Sequence, residues 1–394
     1  MEGLDPSREL SLYIHVPFCH KKCDYCAFYS IAESCLDGDA IALYLDRIKA
    51  SIKAINKEYK KPYYTIFVGG GNPGIIGYEN LVSILSLAEE NGMPEEVTVE
   101  LNPEDVTDDI KKLKPYVSRI SVGIQSLSEK NLRTLGRNTN KEISIKALGI
   151  LSRSGLDFNA DIMTAIPGEK IEESLYDIKT IASFKPDHIS LYCLSFEEGT
   201  PILERERPIG EDMEALFLLK CWKELSSLGY EHYEISNFAR NGKRSLHNMV
   251  YWHLGQYIGL GPTAESSLGY DQIVSMRNTE DLISYINDPS FQCERLTKEQ
   301  VEEEFLIVSL RCKDGIDKKE YKNALNSAPS IDMALFGRMV ASDPSLNYDA
   351  AAQVAHSIST HTVHNEYDYF TAVDDCAPED NAGAGHLGTV EYNS

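Results

Sequence analysis

Short apolar runs rich in β-branched and aromatic residues alternate with longer segments of helical spacing over the first two thirds of the chain. The runs at 12–16, 64–68, 96–101, 119–124, 158–163, 188–194 and 230–235 predict strands. The run at 64–68 stops at three glycines, and 96–101 alternates along its length. The segments at 39–56, 78–90, 141–154, 171–184 and 213–228 predict helices, and those at 141–154 and 213–228 end at Gly155 and Gly229. Strand ends at Gly, Pro or Asn agree with these boundaries. Strand–helix alternation of this kind implies parallel strands joined by crossover helices. The expected fold class is therefore α/β: an open or partial (β/α)6 barrel, with its chemistry at the carboxyl ends of the strands.

Beyond about residue 240 the pattern loosens, and 297–310 is the next clear helix. A core over 1–240 followed by a C-terminal α/β extension over 241–327 is expected. Near residue 327 the composition changes. Residues 328–394 hold ten acidic residues, one basic residue (Arg338) and no lysine, whereas the 30 residues before them hold five lysines. The expectation is an unrelated tail over 328–394, with helix-like stretches at 331–339 and 349–356. A segment of that size has no complete core of its own.

Composition narrows the function classes. The chain has 394 residues, 42% hydrophobic and 25% charged, as an ordinary globular protein does. No apolar run approaches the roughly 20 residues that span a bilayer. The first ten residues show neither a basic stretch nor an apolar one, so the expected location is cytoplasmic. A net charge of −23 repels phosphate backbones, and no nucleic-acid partner is expected. The basic run at 57–61 reads as a solvated helix end.

Of nine cysteines, three cluster directly after the first strand, as Cys19-His-Lys-Lys-Cys23-Asp-Tyr-Cys26. The other six read as small buried hydrophobes. Thiolates are soft ligands that suit iron–sulfur clusters and zinc. Three of them on one loop reach three corners of a [4Fe–4S] cubane and leave the fourth iron open. Alternatively, His15 or His20 completes a closed tetrahedral zinc site.

The stretch Tyr13-Ile-His-Val-Pro-Phe-Cys19 through Cys26 resembles the opening of radical-SAM proteins of the oxygen-independent coproporphyrinogen oxidase group, and the resemblance runs from about residue 10 to about 325. It implies a [4Fe–4S] cluster on Cys19, Cys23 and Cys26, with S-adenosylmethionine (SAM) on its open iron and reductive cleavage of the SAM carbon–sulfur bond. By the same resemblance, Gly70, Gly71 and Asn72 of Val68-Gly-Gly-Gly-Asn-Pro73 hold the methionine end of SAM, Asn72 standing where the group has threonine. Glu100 at a strand end, Gln125, Arg137, Asp161, Tyr13 and Tyr25 are matched to further SAM contacts. Arg137 suits a carboxylate, and Asp161 suits ribose hydroxyls.

The group has two branches. True coproporphyrinogen oxidases carry a further cysteine two residues after the third ligand. Here that position is Phe28, which resembles the other branch, the haem chaperones called HemW. The pattern His247-Asn-Met-Val-Tyr251-Trp252 resembles that branch's haem-binding motif, which implies haem contact by His247, Tyr251 and Trp252. Read from the residues alone, His247 is rather a hydrogen-bonded structural histidine than a haem ligand, with Tyr251 and Trp252 in the core. Gly261-Pro-Thr-Ala-Glu265 departs from the group, which often has histidine where Glu265 stands. The resemblance further implies haem as ligand or cargo, haem-accepting proteins including a membrane-associated one, an electron donor such as a flavodoxin or ferredoxin, and a homodimer. A porphyrinogen oxidase and a degenerate zinc module stay open as alternatives. The tail at 328–394 resembles a fragment of the CasC backbone subunit of type I CRISPR Cascade complexes, which implies a chimera with its own C-terminal region truncated; a divergent native C-terminal domain is the alternative.

Overall fold

The computed structural model describes residues 3–269, 273–279 and 281–316, together with the backbone of two strands near the C-terminus. The chain divides into two compact units, Met1–Ala324 and Leu325–Ser394.

Six parallel strands form the centre of the first unit: β1 (Leu10–Val16), β2 (Thr65–Gly70), β3 (Glu96–Leu101), β4 (Arg119–Gln125), β5 (Asp157–Thr164) and β6 (His188–Cys193). Each pairs with the next in chain order. The crossovers carry α1 (Ala40–Glu58), α2 (Tyr78–Ala88), α3 (Glu129–Thr134), α4 (Lys141–Ser154) and α5 (Ile171–Ser183). Helices α6 (Pro201–Arg205) and α7 (Glu211–Ser227) follow β6. The partial α/β barrel expected from the alternation is present, its elements lying within a few residues of the expected bounds.

The rest of the unit extends both edges of the sheet. At the β6 edge, β7 (Glu231–Glu234) and β8 (Asn237–Ala239) add an antiparallel pair. At the β1 edge, β9 (Gln256–Leu260) pairs parallel with β1. Antiparallel β10 (Glu265–Leu268), β11 (Val274–Asn278) and β12 (Phe291–Arg295) complete a sheet of 12 strands. Three more helices belong to this part: α8 (Leu246–Trp252), α9 (Leu282–Asn287) and α10 (Lys298–Ser309).

The period-2 geometry of the strands decides what goes where. One face carries Leu10, Leu12, Ile14 and Val16, then Ile66 and Val68, Val97 and Val99, Ile120 and Val122, Phe158 and Ala160, and Ile189 and Leu191. All of these are buried in one apolar core with Tyr44, Ile48 and Ile52 of α1, Leu81 and Leu85 of α2, Leu148 and Leu151 of α4, and Ile178 and Ile181 of α5. The opposite face is polar and also largely buried. Its side chains join across strands: Thr65 donates to Ser11 Oγ at 2.8 Å, and Ser121 donates to Asp161 at 3.0 Å. Helix α8 sits at the strands' amino ends, where the backbone N–H groups of Leu246 and His247 donate to the carboxylate of Glu96, the first residue of β3.

Among the described residues no helix is long and apolar enough to cross a membrane. In the second unit, β13 (Glu366–Thr371) and β14 (Leu387–Tyr392) form an antiparallel pair. The helix-like stretches expected at 331–339 and 349–356 lie outside the described residues.

Ile120 is fully buried in the apolar core at the middle of the sheet. Ile120→Ala is expected to destabilise the first unit by about 2–5 kcal/mol, because the vacated volume cannot collapse. Urea denaturation followed by circular dichroism measures it.

Candidate functional site

The cysteine loop leaves the carboxyl end of β1. Phe18–Cys19 pairs briefly with Ile31–Ala32, which turns the loop back on itself. Distant residues hold it from the side. Asp24 N donates to Leu135 O at 3.0 Å, Ile202 N donates to Asp24 O at 2.9 Å, and Arg205 reaches the Asp24 carboxylate at 2.5 Å. Gly136 lies against Asp24, where an added Cβ would meet the carboxylate at 2.3 Å. Tyr25 packs on a small apolar cluster of Leu135, Met163, Ile166, Leu194 and Ile202.

All three cysteines are partly buried. Burial pushes the Cys19 thiol up to about 11 and raises that of Cys26, and the neighbouring sulfurs add to the effect. Such thiols stay protonated until a metal displaces the proton. Arg137 Nη1 donates to Cys23 Sγ at 3.5 Å, while its Nη2 donates to Asn102 Oδ1 at 3.0 Å and to Gly123 O at 2.7 Å. Arg137 Nε and Glu104 Oε2 are buried without a protein partner.

The glycine turn after β2 is locked between two strands. Gly70 N donates to Glu100 Oε2 at 3.0 Å, and Gly71 N donates to Val16 O at 2.8 Å. Gly70 has φ +105°, and an added Cβ would fall 2.3 Å from the His15 ring, so neither the backbone nor the space admits another residue. Asn72 is directed inward. Its Nδ2 donates to Asp105 at 2.6 Å, and its Oδ1 accepts from Gly74 N and Asn102 N at 3.2 and 3.3 Å. The Asn72 side chain thus binds the two loops together, and its backbone is engaged as well, its N–H donating to Phe18 O at 2.7 Å and its carbonyl accepting from Ile75 N at 3.1 Å.

Glu100 ends the polar side of β3 and Asp161 lies on the same side of β5. Burial and the charge of Asp161 push the Glu100 carboxyl up to about 7. Burial raises Asp161 as well, opposed by hydrogen bonds from Asn159, Ser190 and Ser121. Gln125 closes β4 at a register shift with φ +63°, a left-handed conformation that turns the strand's last side chain. Its Nε2 and Arg137 Nη2 both lie within 3.5 Å of where a Gly123 Cβ would stand. Tyr13 joins from β1, its Oη 3.0 Å from His15 Nδ1.

The two histidines open as zinc ligands are both engaged elsewhere. His15 contacts Tyr13 Oη and Tyr29 O, and His20 contacts Glu33 and Asp105. Among the described residues no three His, Cys, Asp or Glu side chains converge as ligands of one ion do.

The residues expected to contact haem lie at the other end of the barrel. His247 is buried, with Nδ1 2.7 Å from Thr65 Oγ1 and Nε2 2.8 Å from Tyr251 Oη, and its ring stacks on Phe67. Burial lowers its pKa to about 3, so the imidazole is neutral. Trp252 stacks under the Arg311 guanidinium 4.3 Å away. The structure brings His247 and Tyr251 together but apart from the cysteine loop. Sequence reasoning did not single out Asp105, Asn102 or Asp24, which brace the loops. The signal available was their position, one to five residues from Glu100 or Cys23.

The chain is similar to known families over most of its length. A Radical SAM superfamily model matches residues 13–180, and a CT1975-like protein model matches residues 237–394, taking in the whole 328–394 tail and running upstream of it. The Heme chaperone HemW of Haemophilus influenzae is 30% identical over 329 residues, covering 80% of this chain and 85% of that protein. The Heme chaperone HemW of Escherichia coli is 33% identical over 285 residues, covering 69% and 73%. The structure of coproporphyrinogen III oxidase (HemN) from Escherichia coli superposes with a TM-score of 0.69 at 21% identity, covering 84% of this chain and 81% of that one, a likeness of fold.

Between about pH 4.5 and 7 the folded chain keeps a proton on Glu100 that the unfolded chain has lost. Stability from this group therefore falls as pH rises through that window and stays lowered above it. Glu100→Gln is expected to make the cofactor-free protein more stable at pH 8, on the order of 1 kcal/mol, with no gain at pH 4.5. Urea midpoints at the two pH values test this.

Proposed function

This chain belongs to the HemW family of radical-SAM proteins, and on that footing we propose that it binds haem and passes it to acceptor proteins, with a [4Fe–4S] cluster and SAM bound at the cysteine end of the barrel. Cys19, Cys23 and Cys26 hold the cluster, and Tyr13, Tyr25, Gly70, Gly71, Asn72, Glu100, Gln125, Arg137 and Asp161 surround SAM. When bound, the cluster supplies an electron that cleaves a carbon–sulfur bond of SAM. The protein's part is to position and to balance charge. Arg137 supports the Cys23 thiolate and offers its unpaired Nε. The Glu100 carboxyl, protonated up to about pH 7, releases its proton when the sulfonium charge arrives.

One observation favours haem handling over porphyrinogen oxidation. The position where the oxidase branch has a further cysteine is Phe28, 69% exposed beside the loop. An exposed ring there offers a flat apolar contact and no thiol. Anaerobic iron–sulfur reconstitution of the full chain, followed by SAM, haem and coproporphyrinogen III, is the test. SAM and haem binding without protoporphyrinogen is the expected result; protoporphyrinogen would sink the chaperone-only reading.

In this proposal His247 is the haem ligand and Tyr251 and Trp252 flank the macrocycle. His247 Nε2 must then exchange Tyr251 Oη for iron. Tyr251→Phe removes the competing hydrogen bond, worth about 1 kcal/mol, and is expected to tighten haem binding about fivefold, while His247→Ala abolishes it. Soret titrations decide; haem binding unchanged in both variants leaves His247 a structural histidine. A flavodoxin or ferredoxin donor, a membrane-associated acceptor, a homodimer and a cytoplasmic location are parts of the same proposal. The tail at 328–394 is proposed as a foreign segment without a function of its own.

A further inference from the structure

A chain of buried polar groups that no motif singled out leads away from Asp161. Its centre is His188, the first residue of β6, which is 1% exposed. His188 Nδ1 lies 2.7 Å from Asn159 Oδ1, and its Nε2 lies 2.8 Å from Tyr233 Oη. Asn159 Nδ2 donates to Asp161 Oδ1 at 2.8 Å and to Ser121 Oγ at 2.8 Å. At the far end, Ser245 N donates to Tyr233 Oη at 3.2 Å, and Ser245 is the N-cap of α8.

The two ends constrain the direction of the protons between them. Ser245 N–H can only donate, so Tyr233 Oη accepts there and its own proton is available to His188 Nε2. His188 is then protonated at Nδ1 and donates to Asn159 Oδ1. From the other end, an ionised Asp161 can only accept, so Asn159 must face it with its amide nitrogen and turn its oxygen to His188. With a neutral His188, the Asp161 end sets the tautomer and the amide orientation, and the Tyr233 end accommodates them. His188 has to be neutral for this, and burial holds its pKa well below the ordinary value. A chain satisfied throughout holds its members in one arrangement.

We infer that His188 and Tyr233 are positioning residues for Asp161, and that through them the N-terminus of α8 helps set the carboxylate that receives the nucleoside end of SAM. The inference rests on the Proposed function for the identity of that ligand. Asp161 takes Asn159 on Oδ1 and Ser121 on Oδ2. Both oxygens are therefore oriented, Ser190 adds a third hydrogen bond, and acceptor capacity is left for a ribose hydroxyl. Releasing Asn159 frees the amide to turn, and a turned amide sets oxygen against carboxylate. Tyr233 lies on β7, where it packs with Ala239, Met249 and Cys312, and its hydroxyl reaches Asp161 through His188 and Asn159.

The test is calorimetric binding of SAM and, separately, of methionine to the anaerobically reconstituted full chain. Tyr233→Phe is expected to weaken SAM about fivefold or more, the worth of one buried hydrogen bond, and to leave methionine unchanged, because methionine carries no ribose. Asp161→Asn is expected to weaken SAM as well, and the double variant to be no weaker than Asp161→Asn alone. His188→Gln, which breaks the chain at its centre, gives the same reading if Tyr233→Phe does not fold. Equal SAM affinity in the variants, equal losses for both ligands, or additive losses in the double variant overturns the inference. A parent chain that takes up iron and binds no SAM overturns the Proposed function and this inference with it; a parent that binds SAM beside an indifferent Tyr233→Phe overturns this inference alone.

Discussion

A barrel with a polar inner wall must satisfy its own interior. The six parallel strands give their apolar side chains to the helices, and every second residue is left facing its counterparts across the barrel. Serine, threonine, asparagine, histidine and carboxylates are costly to bury unless each finds a partner. Thr65 meets Ser11 and His247, Ser121 meets Asp161 and Asn159, and Glu96 takes the first amides of α8. The placement of α8, the orientation of the Glu100 and Asp161 carboxylates and the locking of the glycine turn all follow from that requirement.

The strands and helices were legible because the apolar half of each strand repeats with period two and each helix repeats its apolar face. Cys19, Cys23 and Cys26 were legible because thiolates at close spacing have few other uses. What did not show was the inner half of the strands. Nothing in the local sequence around Asn159 or His188 says that a residue 29 positions on completes its hydrogen bonds. Asn72 was read as a ligand contact, and the structure gives its side chain to Asp105 and to two backbone amides. Register and topology create those pairs, and no local pattern encodes them.

The His247 motif illustrates a different limit. Its residues are adjacent in sequence and the structure brings His247 and Tyr251 into contact, yet at the amino ends of the strands. The cysteine loop lies at the carboxyl ends. The two motifs thus sit toward opposite ends of the strands, and Phe67 links them, its ring 5.1 Å from that of His247 and 6.2 Å from that of Tyr13.

The cysteine loop lies within the first 30 residues of the chain, but its shape belongs to later ones. Leu135 and Gly136 form the wall against which Asp24 rests, and Ile202 and Arg205 close the other side. A ribosome must therefore deliver most of the barrel before the three thiols are held in place. The surroundings that hold the loop are complete only once synthesis has passed α6, about half-way along the chain.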